Sequence, residues 1–275
     1  MNIKEKNIQL MIWRTIEEVL TCRTSVPAGL WQADSTFKDY KMKVRYNVVL
    51  ELQMVDTEEE LREATSCDIE WCDIHFLERI GKRPLNPGSS YKIWPYNNFV
   101  DGDPYMMGKT FSHTYMERFW PKHAGTMTDE EMMSEEYWEL ITQNDGIHFG
   151  LGNLDDVITQ LKDNPLTRQA YLPIFFPEDT GAVHKERVPC TLGYYFYIRE
   201  EKLYCNYIIR SCDTFRHFRN DVYLTGRLQQ HVAKRLGREV GDLTMYIFNL
   251  HAFENDIYNI NKREDKLCRE LADNN

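Results

Sequence analysis

The sequence predicts an α+β protein, a mixed β-sheet flanked by helices in a single domain over residues 1–275. Three observations predict it. Segments with the apolar period of a helix alternate irregularly with runs of aromatic and β-branched residues. Two of those runs, "PCTLGYYFYIR" and "LYCNYIIR", are joined by only "EEK" and read as a hairpin. No internal repeat or low-complexity linker divides the chain, and its length is ample for a sizeable core.

The elements follow in order. "NIQLMIWRTIEEVL" (7–20) sets Met11, Ile12, Ile16, Val19 and Leu20 at helical spacing. "YNVVLELQMV" (46–55) reads as a strand, and "DTEEELREA" (56–64) opens a helix with acids at its positive end. Residues 81–110 are rich in Gly, Pro and Asn and read as loop. "MTDEEMMSEEYWELI" (127–141) reads as an acidic helix with a solvated face. "NLDDVITQLKDNP" (153–165) is a helix that Asn153 can cap, with Val157 and Leu161 on one face and Pro165 beyond its end. After the hairpin, "DVYLTGRLQQHVAKRLG" (221–237) carries Leu224, Leu228, Val232 and Leu236 on one stripe and stops at Gly237. "DLTMYIFNLHAF" (242–253) reads as a final buried strand.

Composition narrows the function. The formal net charge of −10 argues against nonspecific nucleic-acid binding, which needs a broad basic footprint. A small phosphorylated ligand held by a few local arginines stays open. "MNIKEKNIQLMIW" reads as no secretory leader, and the longest apolar run, within "YLPIFF" (171–176), is too short to span a membrane. Cys22, Cys67, Cys72, Cys190, Cys205, Cys212 and Cys268 are scattered with no CxxC pair. Neither a disulfide framework nor a metal site is expected, and a reducing, cytoplasmic setting is.

The second half carries the candidate chemistry. Cys190, between Pro189 and a strand, is a nucleophile if nearby cations lower its pKa, and a packing cysteine otherwise. "IIRSCDTFRHFRNDVY" (208–223) concentrates four Arg or His residues and two Asp in a chain that is acidic as a whole. Arg210 with Ser211 makes a plausible phosphate clamp, a guanidinium fork plus a hydroxyl. Asp221 starts a helix, where dipole complementarity or capping shared with Asn220 would also explain it. His251 lies in the last strand, where a satisfied core histidine is the plain alternative.

In series these blocks say more than each alone. "NPLTRQ", "PC", a hairpin, "RSCD", an acid eight residues on, a helix, and "GDLTMYIFNLH" resemble the thymidylate synthase family over residues 150–260. In the first half "DIEW" (68–71), "KIW" (92–94) and "SHTYMERFW" (112–120) can be laid on the family's segments with four extra residues between the first two. Two departures point within the family. Pro-Cys-Thr stands where thymidylate synthases have Pro-Cys-His, and Asp221 stands where they have the asparagine that reads uracil. Both, with "FRND", look like the phage deoxycytidylate hydroxymethylase branch.

The resemblance implies a chemistry. Cys190 attacks C6 of a cytidine monophosphate, dCMP or CMP. C5 takes a one-carbon unit from 5,10-methylenetetrahydrofolate, and water adds to the exocyclic methylene. Tyr115 assists proton loss at C5. Asp68 falls at the family's catalytic glutamate, with Glu70 as its substitute. Trp94 and Asp213 face the folate, and Arg210 and Ser211 hold phosphate. Arg168 reaches that phosphate from the partner of a homodimer formed through the sheet. His251 bonds the sugar, and Asp221 reads the base. Phe253 replaces a sugar-contacting tyrosine, which leaves CMP and dCMP both open. The alternatives are a thymidylate synthase or a deoxyuridylate hydroxymethylase, which act on a uridine nucleotide, and a non-catalytic nucleotide-binding relative.

Overall fold

The computed structural model describes residues 1–28, 41–94, 106–107, 110–124, 152–177, 179–180 and 188–259. The acidic helix expected at 127–141 lies outside them. A mixed sheet carries the fold. Its strands are β1 (Asn2–Glu5), β2 (Ser25–Pro27), β3 (Lys41–Gln53), β6 (Tyr171–Pro173), β7 (Thr191–Arg199), β8 (Lys202–Ile209), β9 (Cys212–Asp213) and β10 (Glu239–Phe253). The order is β1-β3-β10-β8-β7-β6, with β2 on β3 and β9 on β10. β1 runs parallel to β3 and β8 parallel to β10, while the other neighbours on this path are antiparallel. A small ribbon pairs β4 (Met106–Met107) with β5 (Thr110–Phe111).

Among the described residues, the helices are α1 (Ile8–Leu20), α2 (Glu58–Thr65), α3 (Ile69–Ile80), α4 (Tyr115–Phe119), α5 (Pro121–Ala124), α6 (Leu154–Asp163) and α7 (Phe218–Leu236). One face of the sheet is their core. Val48, Leu50 and Leu52 of β3, Leu243, Met245 and Ile247 of β10, Leu203 and Cys205 of β8, and Phe196 of β7 are all buried in one cluster with residues of the helices. Their alternation with polar or half-exposed neighbours is the period of a one-sided strand.

Most expected elements recur with shifted bounds. The first strand begins five residues earlier than read, at Lys41, and the last begins at Glu239. Among the described residues, the loop over 81–110 holds a short 3-10 turn, Ser89–Lys92, and β4. One expectation is corrected. The helix read from Asp221 begins at Phe218, so Asp221 sits in its first turn and caps nothing. Asn220 does not cap either: its amide donates to Asp68 Oδ2 at 2.9 Å, and its oxygen accepts from the Asp68 N–H at 3.0 Å.

Two features of the sheet position the site. β10 changes partner along its length, pairing with β8 from Glu239 to Ile247 and with β9 at Leu250 and His251. Arg210 and Ser211 are the two residues between those ladders. Further back, the β8–β10 register slips between Val240 and Leu243, leaving a bulge at Gly241 and Asp242. Gln229 of α7, fully buried, fastens it by donating to Leu203 O at 2.8 Å and Gly241 O at 3.0 Å.

Candidate active site

Where the ends of β8, β9 and β10 meet α3, α4 and α7, a cleft opens. Of the residues singled out in the sequence, Cys190, Tyr115, Ser211, Asp213, Asp221, His251 and Trp94 line it.

Cys190 ends the stretch before β7, half-buried. Arg210 fixes it there. The Arg210 N–H donates to Cys190 O at 2.9 Å, its Nε to Pro189 O at 2.8 Å and its Nη2 to Val188 O at 2.9 Å. The guanidinium thus grips the backbone of the cysteine's own approach, and Arg210 itself does not line the cleft. Next along the chain, the Ser211 hydroxyl stands 3.5 Å from His251 Nδ1. Burial pulls the His251 pKa down to about 4, so the ring is neutral near pH 7. Its Nε2 is buried with no partner among the described residues.

The two acids differ in how they are held. Asp213 Oδ1 accepts from the N–H of Phe215 and of Arg216, each at 3.0 Å, which locks its side chain. Burial still pushes its pKa up to about 6. Burial also pushes Asp221 up to about 6, opposed chiefly by the charge of Arg79. The Cys212 thiol donates to Asp221 Oδ2 at 3.5 Å. Each carboxyl can therefore carry a proton near neutral pH, which an exposed aspartate cannot.

α3 supplies a wall that the sequence reading missed. Trp71, His75 and Arg79, four residues apart, all line the cleft. His75 accepts from Arg79 Nη2 at Nε2, 2.9 Å away, and burial pulls its pKa down to about 3. Its proton is then on Nδ1 and donates to Ser90 Oγ at 3.1 Å, which donates to Glu78 Oε2 at 2.6 Å. This line aims the Arg79 guanidinium over the Tyr115 ring, 4.1 Å from its centroid. The signal was present, since 71, 75 and 79 share a helix face, but two of the three are polar and break an apolar count.

An aromatic end completes the cleft. Trp94 stacks on His217, centroids 5.9 Å apart, tilts against Trp71 at 6.4 Å and meets Tyr91 edge-on at 6.3 Å. The Trp71 Nε1 is buried with no partner among the described residues.

Besides Arg210, three expected residues are elsewhere. Asp68 is exposed at the start of α3, its carboxylate taken by Asn220, and it does not line the cleft; neither does Glu70. α3 turns 71, 75 and 79 inward and 70 outward; Asp68, at the start of the helix, shares the inward face by spacing, but its carboxylate is held by Asn220 instead of lining the cleft. Arg168 is exposed in a shallow depression on the opposite, outer face of the sheet, with Leu166, Tyr195, Tyr197 and Arg199. Among the described residues, no group of three or more His, Cys, Asp or Glu could hold a metal ion, and no helix is long and apolar enough to cross a membrane.

Comparison with known proteins places this arrangement. A family model described as "Thymidylate synthase" matches residues 88–273. A protein of Methanothermobacter thermautotrophicus named "Putative thymidylate synthase" is 32% identical over 108 residues, 39% of this chain and 47% of that protein. One of the same name from Methanosarcina mazei is 29% identical over 103 residues, 38% of this chain and 46% of the relative. A "Thymidylate synthase" of Listeria monocytogenes is 23% identical over 203 residues, 65% of this chain and 62% of the relative. The chain thus spans about half the length of the archaeal relatives it matches.

Proposed function

This chain belongs to the thymidylate synthase family, and from that premise we propose that it hydroxymethylates C5 of a cytidine monophosphate, CMP or dCMP, with 5,10-methylenetetrahydrofolate as co-substrate. The observation that carries the reading is Asp221, a carboxyl in the Cys190 cleft with a pKa of about 6. Cytosine presents an acceptor at N3 and a donor at N4, so a protonated carboxyl complements it where an amide complements uracil. The same proton neutralises charge that builds on N3 when a thiolate adds to C6.

The other residues take roles around that contact. Cys190 is the nucleophile. Tyr115 accepts the C5 proton. Ser211 meets the phosphate from the strand break that Arg210 braces, and neutral His251, with its unpartnered Nε2, meets the sugar. The aromatic end fits a folate: Trp94, Trp71 and Tyr91 offer ring faces, the Trp71 Nε1 awaits an acceptor, and Asp213 offers a protonatable carboxyl. When bound, methylenetetrahydrofolate supplies the one-carbon unit. Arg168 acts across a homodimer formed on the outer sheet face. Asp68 is given no part in this reading, because its carboxylate is bonded to Asn220 and does not line the cleft.

A second reading, action on a uridine nucleotide, is favoured by the names of the relatives. One experiment separates the readings. The protein is incubated with methylenetetrahydrofolate and [5-³H] nucleotides of cytosine and uracil, and tritium release and product mass are measured. Release from CMP or dCMP with a hydroxymethyl product is expected. Release from uridine nucleotides alone supports the second reading. No release from any of them leaves a nucleotide-binding relative without turnover.

A further inference from the structure

Arg79 is a buried cation without an anion. It is 6% exposed and lines the cleft. Among the described residues its guanidinium makes one hydrogen bond, from Nη2 to His75 Nε2 at 2.9 Å, and burial keeps that histidine neutral. The Arg79 Nε is buried with no partner among them. The adjoining Glu78 carboxylate is turned to Ser89 and Ser90 instead, accepting from Ser89 Oγ at 2.7 Å and from the N–H and Oγ of Ser90 at 3.1 and 2.6 Å. Taking a guanidinium out of water with only a neutral acceptor is costly, and the cost is offset where an anion forms beside it.

The group beside it is Tyr115. The guanidinium carbon stands 4.1 Å from the centre of the Tyr115 ring, and His75 meets the same ring edge-on at 6.1 Å. The Tyr115 hydroxyl lies 3.0 Å from Thr191 Oγ1, and Thr191 follows Cys190 directly. The phenol is thereby held between a fixed cation on its ring face and a hydroxyl at its oxygen, next to the nucleophile. Both neighbours favour the same species. A guanidinium attracts negative charge on the ring, and a phenolate oxygen accepts from Thr191.

We infer that Arg79 is the counter-ion of a Tyr115 phenolate, the base that takes the C5 proton of the nucleotide. The inference rests on the role given to Tyr115 above, which the cytidine and uridine readings share. Its steps balance. The Tyr115 O–H bond breaks and its proton leaves to solvent water. The Cys190 sulfur bonds to C6, and C5 gains its new carbon. The C5–H bond then breaks, its electron pair stays with the nucleotide's ring, and the proton bonds to the Tyr115 oxygen. The hydroxyl is restored, one proton has passed from C5 to water, and no oxidant or reductant is needed.

The remaining surroundings of Tyr115 oppose a phenolate. Burial raises its pKa, and negative charge on Cys190, on Tyr194 of β7 or on Asp221 of α7 raises it further, while the Arg79 charge lowers it. Neutral His75 adds no charge. Arg79 acts through Tyr115 and is a positioning residue, and Glu78, Ser90 and His75 set its place.

The test uses Arg79→Met, which keeps the length and removes the charge, Arg79→Lys, which restores a charge, and His75→Phe, which keeps a ring and frees the guanidinium. Tritium release from [5-³H]CMP or dCMP is followed against pH, and turnover is compared between 5-protio and 5-deuterio nucleotides. The kcat of Arg79→Met near neutral pH is expected to fall about 10- to 100-fold with KM for the nucleotide little changed, the worth of a desolvated cation on a ring face. Less phenolate then forms at a given pH, so raising the pH should bring the variant back towards wild type. Proton removal should also become slow enough to control turnover, so deuterium at C5 should slow the variant more than the wild type. Arg79→Lys should recover part of the rate. Should Arg79→Met not fold, as judged by nucleotide binding in calorimetry, His75→Phe carries the test. Full kcat in the folded variants, or a loss with neither the pH recovery nor the isotope effect, overturns the counter-ion and leaves the proposed function standing. Release by wild type from uridine nucleotides alone overturns the cytidine reading, and the same variants then test Arg79 on the uridine nucleotide. No release from any of them overturns both.

Discussion

At the scale of single residues, burial sets what Asp221 can do. Its carboxyl is held near a pKa of about 6 against an ordinary 3.8. If it donates to N3, the complex must keep that proton. Binding of CMP should take up a proton as pH rises past about 6, and binding of UMP should not; calorimetry in buffers of different ionisation heat reads the difference. Asp221→Asn should lower kcat/KM for the cytidine nucleotide by about 10- to 1000-fold, the loss of one or two buried contacts, and raise it for the uridine nucleotide. An unchanged ratio would remove the base-reading role. Stability should move the other way. A raised carboxyl pKa favours the fold below about pH 4, and that contribution is lost as pH rises through about 6. Asp221→Asn should therefore melt with the wild type in acid and above it near neutral pH, by of order 1–3 kcal/mol. Cys190→Ala should abolish turnover yet bind nucleotide, because base and phosphate contacts remain; substantial turnover in this variant would dismiss the nucleophile.

At the scale of elements, the hairpin shows why some of the fold could be read. β7 and β8 announce themselves by aromatic and β-branched runs, and their partners lie opposite in register from Arg199 and Lys202 back to Gly193 and Ile208. The turn was not readable in kind: Glu200 and Glu201 both take positive φ, 51° and 63°, without the usual Asn or Gly. α3 escaped because its inward stripe mixes tryptophan, histidine and arginine, so burial there follows from hydrogen bonding rather than hydrophobicity. The cleft itself was legible as an order of blocks, whereas the Asn220 side chain that holds Asp68 was not, because a partner 152 residues away leaves no trace in local spacing. Gly193, two residues past Thr191, offers a test of how the site is mounted. A Cβ there would stand 2.2 Å from the Tyr171 hydroxyl and 2.7 Å from Leu172 O of β6. The backbone oxygen cannot swing aside. Gly193→Ala should cost about 1–3 kcal/mol, read as a lowered Tm, by prying β6 from β7.

At the scale of the whole molecule, the sheet has a helix-covered face and an aromatic outer one. Tyr197 stacks on Tyr195 and on Tyr204, at 5.9 and 5.1 Å between centroids, while Tyr246 and Phe248 are 37% and 47% exposed. Such a surface is more than isolated apolar residues require. Arg168 opens onto the same face and does not line the cleft of its own chain. If two copies meet there, each arginine serves the other's phosphate. Mixing Arg168→Ala with Cys190→Ala, each inactive alone, should restore part of the activity, since one hybrid site regains both groups. Phe248→Asp should dissociate the pair in sedimentation and silence it. A wild type that is monomeric and active at working concentration would exclude the arrangement.

The bulge at Gly241 and Asp242 acts on the molecule as a setting of phase. Beyond it, odd-numbered Leu243, Met245 and Ile247 point to the core and even-numbered Tyr246 and Phe248 point out. A strand side chain reverses face with every residue. Deleting Gly241 should therefore not act as a small shortening. It would turn over the far half of β10 or strip it from the sheet, carrying His251 out of the cleft some ten residues away. Such a protein should bind hydrophobic dyes and lose nucleotide binding together, and a deletion variant that kept both the dry surface and the nucleotide would show that the strand counts its phase from its far end.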